Sequence, residues 1–437
     1  MRSVTRRPRV VVIGSGISGL SAAWWLRDAC DLTILESNEH LGGHTHTHDV
    51  EIGGRTIAVD TGFIVFNDRT YPVFVGLLEE LGVRSRGSRM NFSVRHDGLD
   101  LEYNGNGPAE LFAQRRNLVR PGFWRMLRDI ARLGREATLA LASGPIDPSL
   151  TLGEFLSRGG YSRELSEWYL TPMTGAVWSA TPAATGEIPF VFFARFFSNH
   201  AFFDLSSRPT WRTVIGGSRE YVRAMVPRLD ATIRTRCAVR GVARVAEGVR
   251  VRTEGGVEEF DAAVLATHGD TALSLLEDAT PAEREVLGAM PYQSNEAVLH
   301  TDASVMPRRR RVWASWNAHV DGRSGPVGVT YNMNMLQGLE TPDDLPLLVT
   351  LNRTDRVDPS RIIRRLRYEH PVFTAGTLAS QRRWEEISRD RTFYAGAAWR
   401  YGFHEDGCMS GVRAASALRA SLGLPPIGRR THATMAW

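Results

Sequence analysis

The sequence predicts an α/β protein: a Rossmann-like domain on a parallel sheet, assembled from discontinuous segments, with a second α+β domain of sheet and helices inserted into it. Three observations predict it. The chain opens with a buried-looking strand, a glycine turn, a helix and another strand. Its middle shifts to helical spacing and short alternating runs. Its end returns to a strand, a glycine- and aromatic-rich turn, and a helix.

The run 9–13 is β-branched and apolar, as a buried parallel strand must be. Gly14, Ser15, Gly16, Ile17, Ser18 and Gly19 follow as GxGxxG, then a helix over 20–26 and a strand over 32–35 ending at Glu36. This is a dinucleotide fingerprint in its proper setting. Gly14 permits the tight turn, Gly16 lets the backbone approach a pyrophosphate, and Gly19 lets helix and strand pack closely. The helix N-terminus offers N–H groups to phosphates, and Glu36 can accept from ribose hydroxyls.

Apolar spacing predicts helices over 71–81, 123–141 and 162–173, the last capped at Ser162. Gly216, Gly217 and Ser218 lead into a helix over 219–229. The runs 239–245, 249–253 and 257–260, parted by Gly248 and by Gly255 and Gly256, read as a β-meander. A buried-looking strand over 262–266 runs into Thr267 and His268. Strand-like runs recur at 297–300, 312–316, 327–331 and 347–351. The chain closes with a strand over 392–396 and a helix over 411–422. The expected division is 1–68, 210–290 and 370–437 for the nucleotide-binding domain, and 69–209 with 291–369 for a substrate domain.

A composition of 43% hydrophobic and 23% charged residues in 437 excludes disordered and collagen-like classes, and the length suits two or three domains of about 150 residues. No apolar run reaches the roughly 18 residues of a membrane span. The start is polar and basic, without a secretory pattern, and Cys30, Cys237 and Cys408 are too scattered for a disulfide framework or metal cage. A cytoplasmic location is expected, with membrane association as a second expectation. The chain has no lysine, so all 53 basic residues are arginine, and the formal net charge is +5. Codon bias accounts for this most simply. Apart from Arg6, Arg7, Arg9 and the run 308–311 the arginines are dispersed, with no nucleic-acid module beside them. No nucleic-acid partner is expected, and anionic substrates or membrane surfaces rank above it.

Further motifs extend the fingerprint: Leu41-Gly42-Gly43-His44-Thr45, Asp60-Thr61-Gly62-Phe63, Gly396-Ala397-Ala398 and Tyr401-Gly402-Phe403-His404-Glu405-Asp406-Gly407. With them the chain resembles the flavin-containing amine oxidase and phytoene desaturase superfamily. More narrowly, it is similar to a bacterial family of NAD/FAD-binding oxidoreductases with the same GFHEDG motif. The resemblance implies FAD, with the fingerprint on its ADP half, the GG segment along the pyrophosphate, and the late glycine segment at the ribityl chain and flavin. The cofactor-binding residues so implied are Gly14, Ser15, Gly16, Ser18, Gly19, Glu36, Ser37, Gly42, Gly43, His44, Thr45, Gly62, Phe63, Val239, Thr267, Gly396, Glu405, Asp406 and Cys408. Members of the narrower family are often encoded beside cyclopropane-fatty-acid-type methyltransferases, which implies lipid-directed redox chemistry, including acyl-chain desaturation. Two departures matter. Ala397 stands where relatives carry an acid for the ribityl hydroxyls, and the absence of lysine removes the residue that holds a water near the flavin of amine oxidases.

Four constellations remain. Residues 407–411 open the last predicted helix and are expected to turn their N–H groups to the flavin. His44, His46 and His48 alternate and would share one strand face. A metal is not expected there, since the segment belongs beside a pyrophosphate. Seven of the 18 phenylalanines fall between Phe190 and Phe203, with Arg195 and Arg208 among or beside them. They would form a core face, the wall of an apolar channel, or a patch dipping into a membrane. His404, Glu405, Tyr401 and Trp178 are the candidate catalytic residues, to take a proton or shape the substrate cavity. The expected function is FAD-dependent dehydrogenation of a hydrophobic or lipid-like substrate, with hydride passing to flavin N5. An amine or amino-acid oxidase is the first alternative, and a non-catalytic flavin-binding redox partner the second. Oligomeric state is not legible.

Overall fold

The computed structural model describes residues 6–203, 209–322 and 327–428. Its first layer is a five-stranded parallel sheet in the order Ala231–Arg234, Asp31–Leu35, Arg9–Ile13, Ala262–Leu265, Thr392–Tyr394. Val10 lies opposite Leu32 on one side and Ala262 on the other. Val10, Val11 and Val12 have no exposed surface, which is why that strand is continuously apolar rather than alternating. The strands come from three stretches far apart in sequence, as the discontinuous reading requires.

The helix Ile17–Leu26 is packed against the last helix, His404–Ser421. Glycine permits the approach: a Cβ on Gly411 would stand 2.3 Å from the Ser18 carbonyl oxygen, and one on Gly19 would stand 2.0 Å from that of Gly14. The predicted meander is present as Val239–Val245, Gly248–Thr253 and Gly256–Phe260.

A seven-stranded sheet forms the second layer, in the order Ile362–Pro371, Tyr292–His300, Leu348–Leu351, Gly328–Asn332, Trp316–Val320, Phe92–His96, Leu101–Asn104. Its pairs are antiparallel except Trp316–Val320 with Phe92–His96, the parallel seam where the two inserted stretches join. The helices Pro121–Ala142, Thr171–Trp178 and Phe190–Asn199 belong to this half.

Several elements differ from expectation. The last helix begins at His404, seven residues before the expected 411, because Asp406 reaches back to accept from the Phe403 N–H at 2.8 Å and closes a first turn. The helix expected over 162–173 is Arg163–Leu165, a wide π turn at Ser166–Leu170, then Thr171–Trp178. Pro172 has no N–H for the Trp168 carbonyl, and the Tyr103 hydroxyl donates to it instead at 2.6 Å. The strand expected over 312–316 starts only at Trp316. The Asn317 side chain grips both main-chain groups of Ala314, at 2.9 and 2.6 Å, and folds that segment out of the ladder. The helix expected over 219–229 ends at Met225 and continues as a 3-10 turn around Pro227.

Candidate cofactor and substrate site

The fingerprint loop lies where the first strand turns into the buried helix. Gly14 has φ +99 and donates its N–H to Leu35 at 2.8 Å. A Cβ there would meet the Ala266 carbonyl oxygen at 2.7 Å, so both conformation and space demand glycine. The GG segment lies directly against this loop: the Gly42 N–H reaches the Ser15 carbonyl at 3.0 Å, and a Cβ on Gly43 would stand 3.1 Å from Gly16 Cα. The next motif packs on the GG segment in turn, with the Phe63 N–H on the His44 carbonyl at 2.7 Å. A Cβ on Gly62 would lie 2.2 Å from that same carbonyl oxygen. Thr267 follows the strand beside the loop. Gly396 lies near it, with its N–H on Ser410 Oγ at 3.0 Å.

Glu36 is buried and holds the loop's shape. It accepts the Ser15 N–H at 2.9 Å, Ser15 Oγ at 2.6 Å and the Asn38 N–H at 2.8 Å, and Ser37 Oγ lies 3.2 Å away. Burial acts to raise its pKa, but the bonds from Ser15 and Asn38 outweigh it and hold the carboxyl below its ordinary value. The turn after Arg234 runs alongside, with the Cys237 N–H on the Glu36 carbonyl at 2.8 Å, and leads to Val239. Asp60 ties the D-x-G motif to the GGS segment. It accepts the Ser218 N–H and hydroxyl at 2.9 and 2.8 Å and the Thr47 hydroxyl at 2.5 Å.

These residues fit FAD on two observations. In front of Gly16, where an added Cβ would meet nothing within 4 Å, the loop is open. His44 Nε2 is buried without a hydrogen-bond partner. Gly14 to Gly19, Glu36, Gly42, Gly43, His44 and Thr267 would line the adenosine and pyrophosphate, and Gly396 and His404 the remainder.

The four catalytic candidates divide into two groups. Trp178 and Tyr401 both pack against the phenylalanine helix Phe190–Asn199. Trp178 is 4.7 Å from the Phe196 ring and 5.3 Å from Phe192, Tyr401 is 5.3 Å from Phe192, and the Trp178 indole N–H is buried and unpartnered. His404 and Glu405 are elsewhere. The His404 ring stacks on Phe63 at 3.6 Å, and its Nε2 meets the Tyr221 hydroxyl at 3.0 Å. That hydroxyl in turn meets Thr45 Oγ1 at 2.5 Å. Burial first, and nearby His44, hold the imidazole well below its ordinary pKa. Glu405 points to the neighbouring helix Pro72–Leu81 and accepts the N–H groups of Val73 and Phe74, both at 2.9 Å. Burial pushes its pKa up to about 7, and that of Asp406 up to about 6. Glu405 is therefore a helix cap, with both oxygens engaged, rather than a ribityl ligand or proton acceptor. Cys408 turns towards the first helix, its carbonyl accepting from Ser21 Oγ at 2.9 Å, and burial raises its thiol pKa strongly. The N–H of Gly407 is spent on the Phe403 carbonyl, so the free helix N-terminus lies at 404–406 and not at 407–411.

His44, His46 and His48 do not share a strand face, because the strand begins at Thr47. They enter a wider imidazole and phenol cluster that spacing did not reveal. His46 lies between His40 and His48, at 4.0 and 4.1 Å, and His44 lies 5.7 Å from His370 and 5.2 Å from Tyr368. His370 Nδ1 meets Ser179 Oγ and Asn295 Nδ2, each at 3.1 Å, beside Trp178. Burial, the largest cause, brings the pKa of His44 to about 3 and that of His370 to about 4, so both rings are neutral near pH 7. His370 and Tyr368 join the cluster from the strand Ile362–Pro371, more than three hundred residues from His44.

The phenylalanine segment serves two purposes. Phe190, Phe193 and Phe197 are core. Phe196 and Phe202 line a cavity of about 750 Å³, together with Phe92, Leu127, Ile130, Met173, Trp316 and Phe403. None of the segment's described rings is exposed, so it is not a membrane-facing patch. Arg208 lies outside the described residues. No carboxylate lines the cavity among the described residues, and Arg89 is exposed on its rim.

A glycine-turned parallel sheet with this loop architecture defines a dinucleotide-cofactor protein of the α/β class. The chain belongs to the flavin containing amine oxidoreductase family, whose sequence model matches residues 17–323. That membership implies FAD as the cofactor. Polyamine oxidase 2 of Arabidopsis thaliana is 30% identical over 281 residues, covering 61% of this chain and 52% of that protein, so the chain spans about half the length of this relative. The solved cyclohexylamine oxidase from Brevibacterium oxydans IH-35A aligns at TM-score 0.68 and 16% identity, over 96% of this chain and all of its own. The CLA-producing fatty acid isomerase from P. acnes aligns at TM-score 0.65 and 17% identity, over 94% and 98%. At such identity these structures show the fold alone. Among the described residues no helix is long and apolar enough to cross a membrane.

Proposed function

We propose that the protein dehydrogenates a hydrophobic, lipid-like substrate, taking two electrons from a C–H bond of an extended apolar chain. The observation that carries this reading is the 750 Å³ cavity, walled by aromatic and aliphatic side chains and without a described carboxylate. Burying each methylene there contributes about 0.8 kcal/mol. FAD, when bound, supplies the two-electron acceptor. Phe403, in the cavity wall, immediately precedes His404, which lies among the cofactor-side motifs. Trp178 offers an unpartnered indole N–H beside Phe196. Arg89 can meet an anionic head group at the rim.

The name of the plant relative favours amines as a second reading. A polyamine's ammonium groups would meet no carboxylate of the described lining, which costs several kcal/mol where none is supplied. Anaerobic mixing of the FAD-loaded protein with long-chain acyl compounds and, separately, with di- and polyamines tests both. Flavin bleaching by acyl compounds, with a product two hydrogens lighter, is the expected result. Bleaching by amines alone would overturn the lipid reading.

A further inference from the structure

Two arginine-rich runs that the cofactor and substrate sites leave unused meet on one face. Residues 308–311 are four exposed arginines. Residues 115–120 bring Arg115, Arg116 and Arg120. Nearly two hundred residues apart, the runs share one carboxylate: Asp100 accepts from Arg116 at 3.4 Å and from Arg308 at 3.3 Å. Arg120 joins them by donating to the Leu99 and Asp100 carbonyls at 3.0 and 3.2 Å. Four acids, Asp97, Asp100, Glu102 and Glu110, oppose these seven arginines, and Glu102 is buried. Arg310 stacks over Trp313 at 4.4 Å, and Arg311 forms no ion pair with a described residue.

Apolar side chains stand exposed among these cations. Val119 is 79% exposed, Trp124 50% and Leu118 43%. The Trp124 indole donates to the Leu118 carbonyl at 2.9 Å, which fixes the ring against the segment. Exposed apolar side chains clustered within a polar rim are a mark of interaction surfaces. Apolar tips ringed by arginine suit the boundary of an anionic bilayer, where the tips enter the acyl region and the guanidinium groups meet phosphates. A nucleic acid would engage the cations and leave Val119 and Trp124 in water. The face also adjoins the cavity. Trp124 lies on the helix Pro121–Ala142, which sends Leu127 and Ile130 into the cavity wall, and the Trp124 ring is 5.4 Å from Phe112, next to the lining residue Leu111.

We propose that this face, centred on Leu118, Val119 and Trp124 and rimmed by arginines 115, 116, 120 and 308–311, docks the protein on an anionic lipid surface. Vesicle flotation of the full-length FAD-loaded protein tests it without reading catalysis, so the result is independent of the substrate assignment. Vesicles of phosphatidylcholine with phosphatidylglycerol should carry the protein up, and phosphatidylcholine alone should not. Two double variants, Leu118→Ser with Val119→Ser and Arg310→Gln with Arg311→Gln, change only exposed side chains and should each weaken flotation about tenfold. Raised salt should weaken the parent's flotation as well. Equal flotation on both vesicles, parent-like flotation of both double variants, or capture by duplex DNA in place of vesicles would each overturn the proposal.

Discussion

Replacing Glu36 with alanine removes the carboxylate that braces the fingerprint loop. Two main-chain N–H groups, of Ser15 and Asn38, lose their acceptor, as does the Ser15 hydroxyl. A buried N–H left unpaired costs about 1–3 kcal/mol, so the loss is roughly 2–5 kcal/mol, shared between the fold and the affinity for FAD. At 1.4 kcal/mol per factor of ten, an even share should raise the FAD Kd by about tenfold or more. Glu36→Gln keeps an acceptor for one side of the loop and should cost about half as much. Recovery of flavin fluorescence on dilution measures the Kd, and thermal unfolding measures the remainder. The pH dependence has a definite sign. Because the folded pKa lies below the ordinary value of 4.5, the stabilisation is full above pH 4.5 and is lost as pH falls through the folded value. The gap in unfolding temperature between Glu36→Ala and the parent should therefore be widest at pH 7 and narrow as the carboxyl is protonated in strong acid. A variant that binds FAD as tightly as the parent and melts with it at pH 7 would refute the assignment of Glu36 as the brace.

Glu405 and Asp406 should show the opposite dependence. Their folded pKa values lie above the ordinary ones, so their contribution is most favourable below pH 4.5 and declines as pH rises towards about 7. Glu405→Gln, which keeps an acceptor for the capped helix without a buried charge, should melt above the parent at pH 8 and match it near pH 5, as calorimetry across pH would show. Gly411→Val places a branched side chain where even a Cβ would stand 2.3 Å from the Ser18 carbonyl. It should destabilise by about 3 kcal/mol or more and release FAD, read by denaturant unfolding and flavin content. Val177→Trp, in the cavity wall, should slow turnover of long acyl chains at least tenfold while leaving the flavin spectrum unchanged, and parent-like turnover would count against the cavity as substrate site. With His404 held neutral, flavin reduction in the parent should show no limb near pH 6.5, and a clear limb there that vanishes in His404→Gln would restore His404 as an acid–base group.

The nucleotide half was legible because its determinants are local. Gly14, Gly16 and Gly19 act within one turn and Glu36 ends the next strand, so spacing along the chain carries the geometry. The antiparallel meander at 239–260 was legible for the same reason, since alternation and two glycine turns define it. The last helix was misplaced by seven residues because its start depends on one side-chain bond, from Asp406 to the Phe403 N–H, which no periodicity encodes. Glu405 was misread because its partners, Val73 and Phe74, lie more than three hundred residues away. The histidine cluster, the cavity and the arginine face share this cause. His370 beside His44, Trp316 and Phe196 in one cavity wall, and Arg308 with Arg116 on Asp100 come from segments far apart in sequence that meet only in the folded chain. A sequence states which residue types are present and their local spacing. Which of them become neighbours across hundreds of residues is settled by sheet order and by the close packing of the buried helices, which leave each polar group only the partners within its reach.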